Sequence, residues 1–135
     1  MNGTIAIGTE IELAIAHRLP GHSGKCQQLH GHNYVLQVEV GGTIQANGMI
    51  MDFADLAGIL AELKEMFDHR TILINTDTTV SDPSCMRVSW IPTVENMIRV
   101  FTEFLDSRLP SGRSVKSAIL HETGKCFARY SSRMR

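Results

Sequence analysis

The sequence predicts an α+β fold: a four-stranded antiparallel sheet with two helices on one face. Two observations carry this. Apolar and polar residues alternate at period two in four segments and recur at helical spacing in two others. The order along the chain is strand, strand, helix, helix, strand, strand, which places the strands in an opening and a closing hairpin.

The first strand spans 4–17, where Ile5, Ile7, Ile11, Leu13 and Ile15 fall mostly at period two. Gly8 within it marks a bulge or a close backbone approach. Residues 18–29 hold Pro20, Gly21, Ser23 and Gly24 and form a loop. The second strand, 30–42, places Tyr34, Leu36, Val38 and Val40 on one face and stops at Gly41-Gly42. Asp52 is a natural N-cap for a helix over 53–67, with Phe53, Leu56, Leu60, Leu63 and Phe67 on its apolar face. Residues 68–91 read as irregular, with a short apolar run from Thr71 to Ile74. Pro92-Thr93 opens the second helix with Thr93 as N-cap, and Val94, Met97, Ile98, Phe101, Phe104 and Leu105 line its apolar side. Pro110 and Gly112 end it. A closing hairpin fits 114–131, with its turn at Thr123-Gly124-Lys125. Four strands leave two open edges, so the sheet is expected to be completed by association between subunits.

A length of 135 residues suits one domain, 1–135, with a modest core. With 43% hydrophobic and 20% charged residues, the composition is that of a folded globular protein. A net charge of -1 gives no electrostatic ground for binding nucleic acid or an anionic membrane. No apolar run approaches the roughly 20 residues that span a bilayer. The N-terminus lacks the basic and apolar regions of a signal peptide. Cys26, Cys85 and Cys126 are an odd set and form no disulfide framework, so a reducing cytoplasm is the expected setting.

The segment Lys25-Cys26-Gln27-Gln28-Leu29-His30-Gly31-His32 concentrates the chemistry. His30 and His32 are two apart on a strand, so both imidazoles face one way. His17 leaves the first strand where His30 enters the second, and antiparallel pairing brings the three together. His-x-His alone arises easily on a polar strand face; the third imidazole at the matching position argues for a metal. Imidazoles suit zinc, and three protein ligands leave a position open for water or substrate. His22, in the loop, reads as solvent-exposed or substrate-side. Cys26 sits in a polar loop, where Lys25 or a metal would favour its thiolate. Asp68-His69 reads equally as a proton-transfer pair or as a helix-terminal histidine favoured by the dipole, since adjacent side chains rarely hydrogen-bond. Glu122, at a strand end, is an ordinary solvated carboxylate or a clamp for a guanidine-like edge such as that of a pterin. Glu95 fits the first turn of a helix through the dipole.

Ala16-His17-Arg18-Leu19, Cys26 through Leu29-His30-Gly31-His32-Asn33-Tyr34, Gly48-Met49-Ile50-Met51-Asp52-Phe53, Phe67-Asp68-His69, Pro92-Thr93-Val94-Glu95-Asn96 and His121-Glu122-Thr123 occur in this order. Together they resemble the 6-pyruvoyltetrahydropterin synthase family, and within it the branch forming 6-carboxytetrahydropterin for queuosine biosynthesis. The resemblance covers nearly the whole chain and implies the tunnelling fold. In that fold three subunits join their sheets into a barrel and two trimers stack into a hexamer, with active sites at subunit interfaces. It implies that His17, His30 and His32 bind Zn2+, that Cys26, Asp68 and His69 are catalytic, and that Glu122 anchors the pterin, with Thr93 and Glu95 beside it. The substrate it implies is 7,8-dihydroneopterin triphosphate. Zinc would act on the side-chain hydroxyls, and triphosphate and acetaldehyde would leave.

Three residues between Cys26 and His30 match the carboxy branch; the pyruvoyl branch, which only eliminates triphosphate, has a longer insertion there. The chain departs from the family where the Asp-His pair is followed by Arg70-Thr71-Ile72-Leu73-Ile74-Asn75, and residues 76–91 look longer than the compact form. A non-catalytic pterin-binding oligomer is the competing class, and the intact Cys26, Asp68 and His69 argue against it.

Overall fold

The structure, a computed structural model, describes residues 3–133. The strands are β1 (Ala6–His17), β2 (His30–Gly42), β3 (Arg70–Ile74), β4 (Cys85–Val88), β5 (Arg113–His121) and β6 (Phe127–Ser131). The helices are α1 (Phe53–Phe67) and α2 (Val94–Arg108), and one 3-10 turn covers Lys25–Gln27. Among the described residues, no helix is long and apolar enough to cross a membrane.

The helices begin where the sequence places them, and for the expected reason. Asp52 accepts a hydrogen bond from the Ala54 amide at 2.7 Å, and Thr93 accepts one from the Asn96 amide at 3.2 Å. Each cap satisfies a donor that the first turn leaves orphaned. The opening and closing hairpins form as expected. β1 pairs antiparallel with β2 from Ala6↔Gly41 to His17↔His30, and β5 pairs antiparallel with β6. Gly8 is a close approach rather than a bulge: a Cβ there would lie 2.9 Å from the Val38 carbonyl oxygen.

The sheet departs from the expectation. It has six strands in the order β4-β3-β1-β2-β5-β6, and it is mixed. β3 runs parallel to β1, and β4 parallel to β3. Both extra strands come from the segment read as irregular. β3 hides from a periodicity reading because Thr71, Ile72 and Leu73 are all buried, so no polar alternation marks it. β4 is four residues long and its exposure is mixed, so it carries no pattern either.

One face of the sheet carries the core. Leu13 and Ile15 of β1, Tyr34, Leu36, Val38 and Val40 of β2, and Val115, Ala118 and Leu120 of β5 are buried on it. α1 adds Leu56, Leu60, Leu63 and Phe67, and α2 adds Met97, Ile98, Phe101 and Leu105, in one continuous cluster. Phe67 and Phe101 meet edge to face at 4.9 Å, which joins the helices. Phe53 falls outside this face and is 59% exposed. The opposite face of the sheet, with Glu10, Gln37 and Glu39, is polar and exposed. His17, His30 and His32 continue the core-facing positions of β1 and β2 at one end of the sheet, so the site lies where the core stops.

Candidate metal centre and active site

Strand alternation builds the cluster. His17 ends β1 two residues after Ile15, and His30 and His32 open β2 in phase with Tyr34. The imidazole centroids lie 4.5 Å (His17–His30), 4.9 Å (His30–His32) and 5.5 Å (His17–His32) apart. Glu122 follows Leu120 at the same period and brings a carboxylate to the group. Its Oε1 is 3.1 Å from His32 Nε2 and 3.4 Å from His17 Nε2. One ligand atom from each of the four residues lies within 4.8 Å of all the others.

The hydrogen bonds around the rings decide what the cluster offers. His17 Nδ1 donates to the Pro92 carbonyl at 2.7 Å, and His30 Nδ1 donates to the Gln28 carbonyl at 2.7 Å. A carbonyl only accepts, so each Nδ1 carries the proton and each Nε2 presents a lone pair. Those two Nε2 atoms face each other at 3.0 Å. Two lone pairs at that distance repel unless a cation or a proton lies between them. Imidazoles with Nδ1 held by backbone carbonyls are the usual second layer of a metal site. The donor set of three imidazoles and a carboxylate suits zinc.

His17 is 1% exposed. Burial pushes its pKa below the ordinary 6.5; the Pro92 carbonyl works the other way, and His30 adds to the lowering. It therefore stays neutral, as a ligand must. Tyr34 packs its ring edge to face against His17 at 6.1 Å and His32 at 5.7 Å. Burial, then the charges of Glu122 and Cys26, push the Tyr34 phenol far above its usual value.

Cys26 lies half-buried in the 3-10 turn, and its carbonyl accepts from the Leu19 amide at 3.0 Å. That bond closes the loop against the end of β1. His22 is exposed, lies outside the cluster and accepts from the Gly24 amide at 2.9 Å.

Asp68 and His69 correct the expectation that neighbours do not bond. Asp68 Oδ2 accepts from His69 Nδ1 at 2.9 Å, while Asp68 Oδ1 accepts from the Ala14 amide at 2.8 Å. His69 reaches this geometry through a left-handed backbone, φ 60°. Burial works against the Asp68 charge, but the Ala14 amide and then His69 outweigh it and hold the carboxyl below its ordinary value. The His69 ring is 83% exposed. Among the described residues, no hydrogen bond joins it to Cys26 or to the histidines. Thr93 is spent on its cap beside Pro92, and Glu95 is exposed on the first turn of α2.

The structure therefore brings together His17, His30, His32 and Glu122, puts Cys26 in the 3-10 turn that precedes β2, and leaves the His69 ring exposed beyond the end of α1. Two participants escape a sequence reading, and so does the position of a third. The Pro92 carbonyl is backbone and has no residue signature. Tyr34 reads as an ordinary core position. Glu122 is legible as a ring clamp, but its distance to the histidines depends on the sheet register.

Comparison with known proteins gives the family. The family model for 6-pyruvoyl tetrahydropterin synthase matches residues 6–133. The 6-carboxy-5,6,7,8-tetrahydropterin synthase of Haemophilus influenzae is 34% identical, over 92% of this chain and 96% of its own. That of Rickettsia felis is 31% identical, over 87% of this chain and 93% of its own. Among solved structures, 6-pyruvoyl tetrahydropterin synthase of Caenorhabditis elegans superposes with a TM-score of 0.73 at 26% identity, over 97% of each chain. An uncharacterized protein of Wolinella succinogenes shares the fold, with a TM-score of 0.83 at 23% identity over 98% of this chain and 100% of that one. The chain belongs to the 6-pyruvoyl tetrahydropterin synthase family.

Proposed function

We propose that this chain is a zinc-dependent lyase that converts 7,8-dihydroneopterin triphosphate and water to 6-carboxy-5,6,7,8-tetrahydropterin, releasing acetaldehyde and triphosphate, on the route to queuosine. The observation that carries the metal part is the pair of opposed Nε2 lone pairs, completed by the His32 imidazole. The carboxy branch is supported by the three-residue spacing from Cys26 to His30 and by the relatives named for that product.

His17, His30 and His32 would hold the ion, with ring orientations already fixed by Pro92 and Gln28 for the first two. Zinc supplies Lewis acidity to the hydroxyls of the substrate side chain. Cys26 is the acid–base thiol on one side of that side chain. On the other side Asp68 holds the Nδ1 proton of His69, so Nε2 is the nitrogen that takes and returns a proton. Glu122 receives the guanidine-like edge of the pterin through two parallel hydrogen bonds. Thr93 and Glu95 flank the ring at the start of α2.

The outward-facing His69 supports an active site shared between subunits, with Cys26 from one chain and Asp68–His69 from another. In this reading residues 1–135 form one tunnelling-fold domain of a cytoplasmic hexamer, a dimer of trimers, that binds neither nucleic acid nor membrane.

Product analysis by mass spectrometry after incubation with dihydroneopterin triphosphate and zinc tests the proposal. The expected products are the 6-carboxy pterin and acetaldehyde. A pyruvoyl product alone would sink the branch assignment, and no turnover by zinc-loaded protein would sink the enzyme. Cys26→Ala should abolish turnover while zinc content and pterin binding persist. Unchanged turnover would remove the thiol from the mechanism.

A further inference from the structure

The chain between β3 and α2 is fastened to the end of β1 at two points, and those points are consecutive residues. Arg18 Nη1 donates to Asp77 Oδ2 at 3.0 Å, and His17 Nδ1 donates to the Pro92 carbonyl at 2.7 Å. β3 runs parallel to β1, so the segment leaves β3 at the same end of the sheet as His17.

Asp77 is built in. It is 5% exposed. Its Oδ1 accepts from the Thr79 amide at 3.1 Å and the Thr79 hydroxyl at 2.6 Å, so both carboxylate oxygens are committed. Arg87 of β4 donates from Nη2 to the Asp77 carbonyl at 3.2 Å and to the Val80 carbonyl at 2.7 Å. The loop is therefore coupled through Arg87 to β4, and Pro92 follows β4 by four residues. Among the described side-chain hydrogen bonds, Arg18 ties the Asp77 end of the segment to the end of β1, and His17 ties the Pro92 end. A buried carboxylate is tolerable only while it is paired, so losing Arg18 strands the Asp77 charge and losing Asp77 removes the tie itself; either loosens the stretch around Asp77, while β4 stays paired to β3.

We propose that Arg18 and Asp77 are positioning residues for His17: they hold the 75–92 segment so that the Pro92 carbonyl stays on Nδ1 and Nε2 stays directed into the cluster. The inference rests on the metal-binding reading of that cluster. It deepens that reading by placing control of one ligand in a loop that never touches the ion. Partners that orient a ligand imidazole commonly change metal affinity by about 10- to 100-fold.

The test uses Asp77→Ala, Arg18→Ala, the double variant and Arg18→Lys in the full-length protein. Zinc affinity is measured by chelator competition, and the His17 tautomer in metal-free protein by nitrogen-detected NMR. Each alanine variant should lower zinc affinity roughly tenfold and lose the Nδ1–H form as the dominant tautomer. The double variant should be no worse than the poorer single one, because both remove the same tie. Arg18→Lys should recover part of the loss. Folded variants with wild-type zinc affinity and tautomer, or losses that simply add, would overturn the inference. Should Asp77→Ala not fold, the less buried end of the pair decides through the two Arg18 variants. If the wild type binds no zinc, the metal reading fails, and the tautomer measurement still decides whether Arg18 and Asp77 position His17.

Discussion

Among single residues His17 carries the most. It is a core position by strand period, a donor to Pro92 through one nitrogen and a free lone pair through the other. Its burial sets a pH dependence with a definite sign. In the unfolded chain it titrates near 6.5, whereas in the fold its pKa is lower. Between those values only the unfolded state takes the proton. Stability is therefore complete above about pH 6.5 and falls as the pH drops below it. Asp68 acts lower on the scale: its carboxyl is depressed in the fold, so its contribution is present above about pH 3.9 and is lost as the pH falls through its folded value. Thermal denaturation of metal-free protein should show Tm falling from pH 7 to pH 5, and His17→Gln should flatten that slope. An unchanged slope would mean that His17 is not the group responsible. The three histidines were legible one by one in the sequence because strand period fixes which side chains share a face.

At the scale of elements, the two helices were legible because cap and apolar stripe agree. Asp52 and Thr93 each fill an N-cap, and replacing either with Ala should cost about 1 kcal/mol. Urea unfolding checks this. The two losses should differ in their secondary effect, because Thr93 adjoins the Pro92 carbonyl and Asp52 has no such neighbour in the site. Thr93→Ala should weaken zinc binding, while Asp52→Ala should leave it intact. β3 and β4 were illegible for a physical reason. A strand with all its central residues buried has no alternation, and parallel pairing to β1 is specified by contacts between residues 15–17 and residues 70–72, which no local window contains.

Across the whole molecule, both helices press one sheet face into a single core, and the site occupies the end of that face. Phe101 is fully buried and meets Phe67 across the helix pair, so Phe101→Ala should cost about 3–5 kcal/mol by chemical denaturation. The exposure of His69 makes a prediction about assembly. Cys26→Ala and His69→Ala should each be inactive alone, and mixed oligomers of the two should regain turnover. Recovery in the mixture separates a shared site from one built within a chain, for which mixing restores nothing.

The sequence by itself determined the helices, the two hairpins, the facing histidines and the family motifs. These depend on local period, capping and residue order, all of which a short stretch of chain contains. Only the tertiary structure decided that the sheet is mixed and six-stranded, that Glu122 closes the histidine cluster, and that Asp68 bonds its own neighbour. It also decided that the Pro92 carbonyl and the Arg18–Asp77 pair stand behind His17. The physical reason is common to all of these. Each depends on groups tens of residues apart, or on a backbone angle such as the 60° φ of His69, and neither leaves a mark in composition or spacing.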